Sequence, residues 1–182
     1  MNRWAFQFFS PIILFCLMLI DGQLSSFFAS LFGYSIFPVS HIMLIFLMYS
    51  VKQHQLPYLL TMTIVLGIIY DSYFIGVLGI AAALLPLIAM FVNEIHETVF
   101  QNNWTKVFTV IIITSIFETL LSTIQIGFHL VELNFNTFVV CQLAPSLILN
   151  VILGILLIVP LDILYQDRPR KNLISKATST EL

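Results

Sequence analysis

Charge is what this sequence has least of. Only 9% of its 182 residues are Asp, Glu, Lys or Arg, whereas a soluble domain carries about 25%. With 59% hydrophobic residues and a mean hydropathy of +1.01, too few charges remain to cover a water-facing surface. The chain therefore reads as an integral membrane protein. Cysteine is almost missing as well. Cys16 and Cys141 both lie in apolar runs, which excludes a disulfide framework and the paired spacing of a zinc site. Cations are absent from every long apolar run, and the densest basic group, Arg168, Arg170, Lys171 and Lys176, is too small for a nucleic-acid surface. Nothing resembles a nucleophile beside its base, a pair of carboxylates at catalytic spacing or a phosphate-cradling loop, and these gaps point away from an enzyme.

The apolar runs that remain organise the chain. Trp4 to Ile20 follows Arg3 like a signal peptide, yet no small-residue cleavage site comes after it, so it reads as a retained first span. Asp21-Gly22-Gln23 should end that span, and Leu24 to Tyr34 is then too short to cross and should lie in the interface. A second span is expected over 36–51, with Pro38 in its first turn and His41 as a packing residue. Spans three and four are expected over 57–72 and 76–92, a fifth over 107–128 and a sixth over 138–161, with 167–182 as a basic tail. The polar stretch from Asn93 to Lys106 reads as the longest loop. Its Glu94-Ile95-His96-Glu97 lacks the second His, four residues on, that a metalloprotease helix needs, because Phe100 is there.

The seven basic residues sharpen this count. Arg3, Lys52, Lys106, Arg168, Arg170, Lys171 and Lys176 all fall on one side of a six-span arrangement. By the positive-inside rule that side is cytoplasmic and holds both termini.

Polar residues inside the spans are the candidate sites. Gly67-Ile-Ile-Tyr-Asp71-Ser-Tyr-Phe-Ile-Gly76-Val-Leu-Gly79 places a carboxylate between two apolar runs. The chain from Pro57 to Val92 is barely long enough for two crossings, so the turn at Asp71 must be short and sunken. An acid at that depth is a functional-site hypothesis by default. Gly79 and Ala83 share a helix face that a neighbouring backbone could approach closely. Pro86 interrupts the fourth span. Glu118 and Asn150 each come out about 18 Å from the cytoplasmic boundary at 1.5 Å per residue. That matched depth predicts that Glu118 faces the interior and hydrogen-bonds Asn150 or another polar group there.

Three of these stretches together resemble the rod shape-determining protein MreD family, membrane subunits of the bacterial cell-elongation machinery. They are the Gly67-to-Gly79 segment, the fifth span with its acid Glu118, and Pro145-Ser-Leu-Ile-Leu-Asn150 in the last span. Tyr70 and Tyr73 beside Asp71 depart from the family pattern. The resemblance implies an all-α six-helix bundle similar to the substrate-binding subunits of energy-coupling-factor vitamin transporters. It further implies a non-catalytic scaffold without a cofactor. Its partners would be the single-span protein MreC and, through it, MreB filaments, a glycan polymerase and a transpeptidase. The faces expected to meet partners are Gly76, Gly79 and Ala83, and the segment from Phe27 to Tyr34. A vitamin-transporter subunit is the rival reading. Against it, the first span lacks the small-residue pair that would dock an energising partner, and Asp71 and His129 are few groups for a vitamin pocket.

Overall fold

A computed structural model describes residues 3–51, 54–100, 102–129 and 135–165. The tail at 167–182, Lys52 and the four tail cations lie outside the described residues. Among the described residues the only regular secondary structure is helical: α1 (Arg3–Leu31), α2 (Ile42–Val51), α3 (Leu56–Tyr70), α4 (Ile80–Val99), α5 (Asn103–Gly127), α6 (Phe135–Phe138) and α7 (Ala144–Tyr165). A π-helical turn, Asp71–Ile75, prolongs α3, and a second, Val139–Leu143, joins α6 to α7. Five stretches are long and apolar enough to cross a bilayer: Phe9–Leu31, Leu56–Ile75, Ile80–Glu97, Asn103–Gly127 and Asn136–Ile163. The protein is a multi-pass membrane bundle.

α2 is the exception, and it sits at the centre. It has 10 residues and packs against α1, α4, α5 and α7. Every residue from Met43 to Val51 is buried. Around it the core gathers Leu14 and Met18 from α1, Leu59 from α3, Leu85 from α4 and Phe117 from α5. The outward faces keep large apolar side chains exposed, as lipid contact requires, Leu87, Phe108 and Ile148 among them.

Three expected boundaries are corrected. α1 does not stop at Asp21-Gly22-Gln23 but continues to Leu31, so Leu24 to Leu31 is helix and not a separate interfacial segment. The helix survives because Asp21 is buried against the start of α2, and Gly22 leaves room for the Phe74 ring, which a Cβ would meet at 2.7 Å. The chain turns only at Gly33 and Tyr34, both with left-handed φ near +60° (59° and 57°). Second, the helix expected from residue 36 begins at Ile42, and Ile36 to His41 form no helix. Third, the long polar loop after residue 92 does not exist: α4 runs on to Val99 and α5 starts at Asn103. Residues 93–99 are polar but contain no breaker, so they prolong the helix and carry Glu94 and Glu97 into solvent.

A close backbone approach occurs at Gly67. α3 and α4 pair more intimately than any other elements, and the contact is at Gly67. A Cβ there would lie 2.4 Å from the Ala82 Cα and 2.7 Å from the Ala81 oxygen. Gly76, Gly79 and Ala83 lie away from that contact and stay exposed. Gly76 (φ +77°) and Gly79 (φ +112°) are instead required by the turn itself, which no residue with a Cβ adopts without strain.

Candidate functional site

The unwound chain before α2 creates the site. In a hydrocarbon environment every peptide group needs a partner, so a non-helical stretch must be satisfied by protein. In Ile36 to His41, alternate residues are satisfied by the second π turn and α7, as an extended chain dictates, and the Ser40 N–H by Ser25 of α1. The Phe37 N–H donates to the Cys141 carbonyl at 2.7 Å. Pro145, four residues after Cys141, has no N–H to claim that carbonyl, which leaves it available. The Val39 N–H donates to Ser146 Oγ at 2.8 Å. The Asn150 side chain completes the row: its Oδ1 accepts from the His41 N–H at 2.7 Å, and its Nδ2 donates to the Val39 carbonyl at 2.8 Å. The Pro145-Ser146-x-x-x-Asn150 pattern is thus a docking strip for unwound backbone.

Two aspartates finish the outer layer. Asp21 on α1 accepts from Ser40 Oγ (2.6 Å) and from the N–H groups of Ile42 and Met43 (both 2.8 Å), which caps α2 from a neighbouring helix. Asp71 is fully buried, and its carboxylate accepts from the N–H groups of Gly79 (2.8 Å), Ala81 (2.7 Å) and Ala82 (3.1 Å). It caps α4 in the same manner. In both cases a negative charge meets the positive end of a helix dipole and several orphan donors, so it needs no cation. Asp21 went unrecognised from sequence because an acid followed by glycine reads as a helix end.

Glu118 is treated differently. It is 4% exposed on α5 and does not bond Asn150, whose amide is taken up by the unwound segment and by the Ser146 carbonyl one turn back in α7. It faces His41 instead, with Oε1 3.4 Å from Nε2. That separation allows attraction without a hydrogen bond. Neither Glu118 oxygen, nor His41 Nε2, has a hydrogen-bond partner among the described residues. Both side chains line a cavity of about 160 Å³ together with Tyr70, Ser122, Gln125 and Gln142. Tyr70 directly precedes one π turn and Gln142 lies in the other, the kind of local unwinding that recurs at functional sites. Neither Asp71 nor His129 lines the cavity. His41, Gln125 and Gln142 were invisible as a group, because single polar residues scattered over three elements carry no spacing signal.

A second polar cluster closes the opposite end. Lys106 Nζ contacts both Asp162 oxygens, at 2.7 and 2.6 Å, and the Tyr49 hydroxyl donates to Asp162 at 3.0 Å. Lys106 also donates to Asn103 at 3.1 Å, so α2, α5 and α7 are tied together there. Among the described residues no group of three metal-ligating side chains occurs.

A separate apolar groove of about 450 Å³ lies on the outer surface between α1, the unwound segment and α7. Phe28 and Phe32 form one wall, Ile36 and Pro38 the floor, and Pro145 and Ile148 the other wall.

No solved structure matches the chain significantly. The cell shape-determining protein MreD of Streptococcus pneumoniae (strain ATCC BAA-255 / R6) is 28% identical over 135 residues, which is 73% of this chain and 80% of that protein. The family model of the rod shape-determining protein MreD matches residues 2–168, nearly the whole length, and the chain belongs to that family.

Proposed function

We propose that the chain is a non-catalytic scaffold of the bacterial lateral-wall synthesis complex, embedded in the cytoplasmic membrane with both termini inside. Family membership supports a role in cell shape. The observation that carries the scaffold reading is the apolar groove beside Pro145. The groove includes chain that α1, the second π turn and α7 hold by hydrogen bonds, so it is a preformed surface and not a loose loop. A preformed apolar groove at membrane depth suits one transmembrane helix, since packing against a rigid wall drives association where lipid is equally apolar. The proposed occupant is the helix of an MreC-like single-span protein. MreB-type filaments, a glycan polymerase and a transpeptidase would join through that protein. The exposed turn of Gly76, Gly79 and Ala83 is a second, smaller contact in this reading. The vitamin-transporter alternative is not favoured, because the family matched is one of shape-determining proteins.

Ile148→Trp, which fills the groove from its wall, tests the proposal. In cells it should release the MreC-like partner during co-purification and round the cells, while Leu87→Trp on the lipid face of α4 should do neither. Equal partner recovery from both variants would show that the groove is not the contact. A reporter fused after residue 182 should be active only in the cytoplasm.

A further inference from the structure

We infer that the cavity at Glu118 is a binding site for a small primary ammonium group. This goes beyond the scaffold reading and does not depend on it. The argument starts from how the buried carboxylates are satisfied. Asp21 and Asp71 each accept three hydrogen bonds, and Asp162 holds Lys106 and the Tyr49 hydroxyl. Glu118, as buried as Asp21 and Asp71, accepts no hydrogen bond among the described residues, and its one polar neighbour there is His41 Nε2 at 3.4 Å from Oε1. An acid left so in the bilayer is costly, and such residues mark ligand or ion sites.

The surroundings select the ligand. The cavity, about 160 Å³, has room for a small polar molecule or a few waters. Its polar lining of Glu118, Ser122, Gln125 and Gln142 supplies one negative charge plus amide and hydroxyl oxygens. Three rings, Tyr70, Phe74 and Phe117, complete the wall, with Tyr70 4.8 Å from Phe74 and 5.9 Å from Phe117 between centroids. A carboxylate combined with aromatic faces recognises an organic cation. The three donors of a primary ammonium match Glu118 and the two glutamine carbonyls, and a short alkyl stem would lie against the rings. His41, 3.4 Å from Glu118, would aim its Nε2 lone pair or proton at the same space. The ammonium could belong to a free amine or to an aminolipid headgroup, and the test separates them.

Purified protein in an uncharged, lipid-free detergent would be titrated calorimetrically with ethanolammonium and, separately, with ethylene glycol, its uncharged analogue. Retention of phosphatidylethanolamine over phosphatidylcholine would be measured by native mass spectrometry from mixed nanodiscs. Saturable binding of ethanolammonium without binding of the glycol supports a free amine. Selective retention of phosphatidylethanolamine supports the headgroup. In either arm Glu118→Gln should weaken binding about tenfold or more, the loss of a charge-assisted contact. Gln142→Leu, at the half-exposed rim, should weaken it about threefold and guards against a misfolded Glu118 variant. The inference is overturned if neither amine nor aminolipid is selected, if the glycol binds as well, or if folded Glu118→Gln binds like wild type.

Discussion

The two ends of the bundle solve the same problem in opposite ways. At one end, Lys106 and Asp162 cancel each other's charge directly, with Tyr49 and Asn103 as further partners. At the other, Asp71 is held by peptide N–H groups and Asp21 by peptide N–H groups and the Ser40 hydroxyl, with no cation beside either. The lesson is that helix N-termini can replace cations. That substitution lets this end of the bundle dispense with Lys and Arg among the described residues. A charge pair ties two side chains; a capping carboxylate also fixes where a helix begins. The outer layer therefore sets geometry, whereas the inner pair clamps helices already formed.

This contrast can be broken experimentally, starting with the largest effect. Asn150→Leu removes the acceptor for the His41 N–H and the donor for the Val39 carbonyl, and should cost about 4 kcal/mol, because each buried orphan costs about 1–3 kcal/mol. Unfolding in mixed detergent micelles would read it, and a loss below about 1 kcal/mol would mean that the unwound segment is not held from α7. Asp71→Ala should follow at about 3 kcal/mol, with Asp71→Asn recovering part of it by keeping one acceptor. Lys106→Met should cost less, about 2 kcal/mol, since Asp162 is 28% exposed and water can take the place of the ammonium. A double-mutant cycle of Lys106→Met with Asp162→Asn should show coupling, while Lys106→Met with Asp71→Asn, at opposite ends, should be additive.

The smallest effect is a dependence on pH. His54, beside the start of α3, is buried, and burial holds its imidazole below the ordinary value because the charged form loses its hydration. Its folded value lies below its unfolded value of about 6.5. The unfolded chain therefore takes up the proton first. Stability is complete above about pH 6.5 and falls as the pH drops through the folded value. Melting temperature measured from pH 8 to pH 5 should decline in wild type, and His54→Phe should flatten that decline.

Much of this was legible in the residues. Apolar length located the crossing helices, and charge scarcity announced the membrane. Asp71 and Asn150 stood out because a polar group in lipid must have a reason. What escaped notice was partnership. Hydropathy sees His41 as one polar residue in an apolar run; it cannot see that the helix has not started there, since apolar side chains tolerate extended chain whenever another element accepts its hydrogen bonds. Asp21 was misjudged for the mirror reason: local propensity says stop, and a partner 21 residues on overrides it. The Glu118–Asn150 match rested on depth alone. Depth fixes height along the bundle but not direction around it, and Asn150 was already engaged.

The row of bonds along Phe37, Val39 and His41 has a bearing on how the protein is made. Its acceptors and donors on Ser146 and Asn150 are encoded 107 to 111 residues downstream. While the ribosome is still translating the middle of the message, those peptide groups must be sheltered by the insertion machinery or by water drawn into the bilayer. Only the final helix relieves them. A nascent chain cut short before that helix would keep those amides without their final partners.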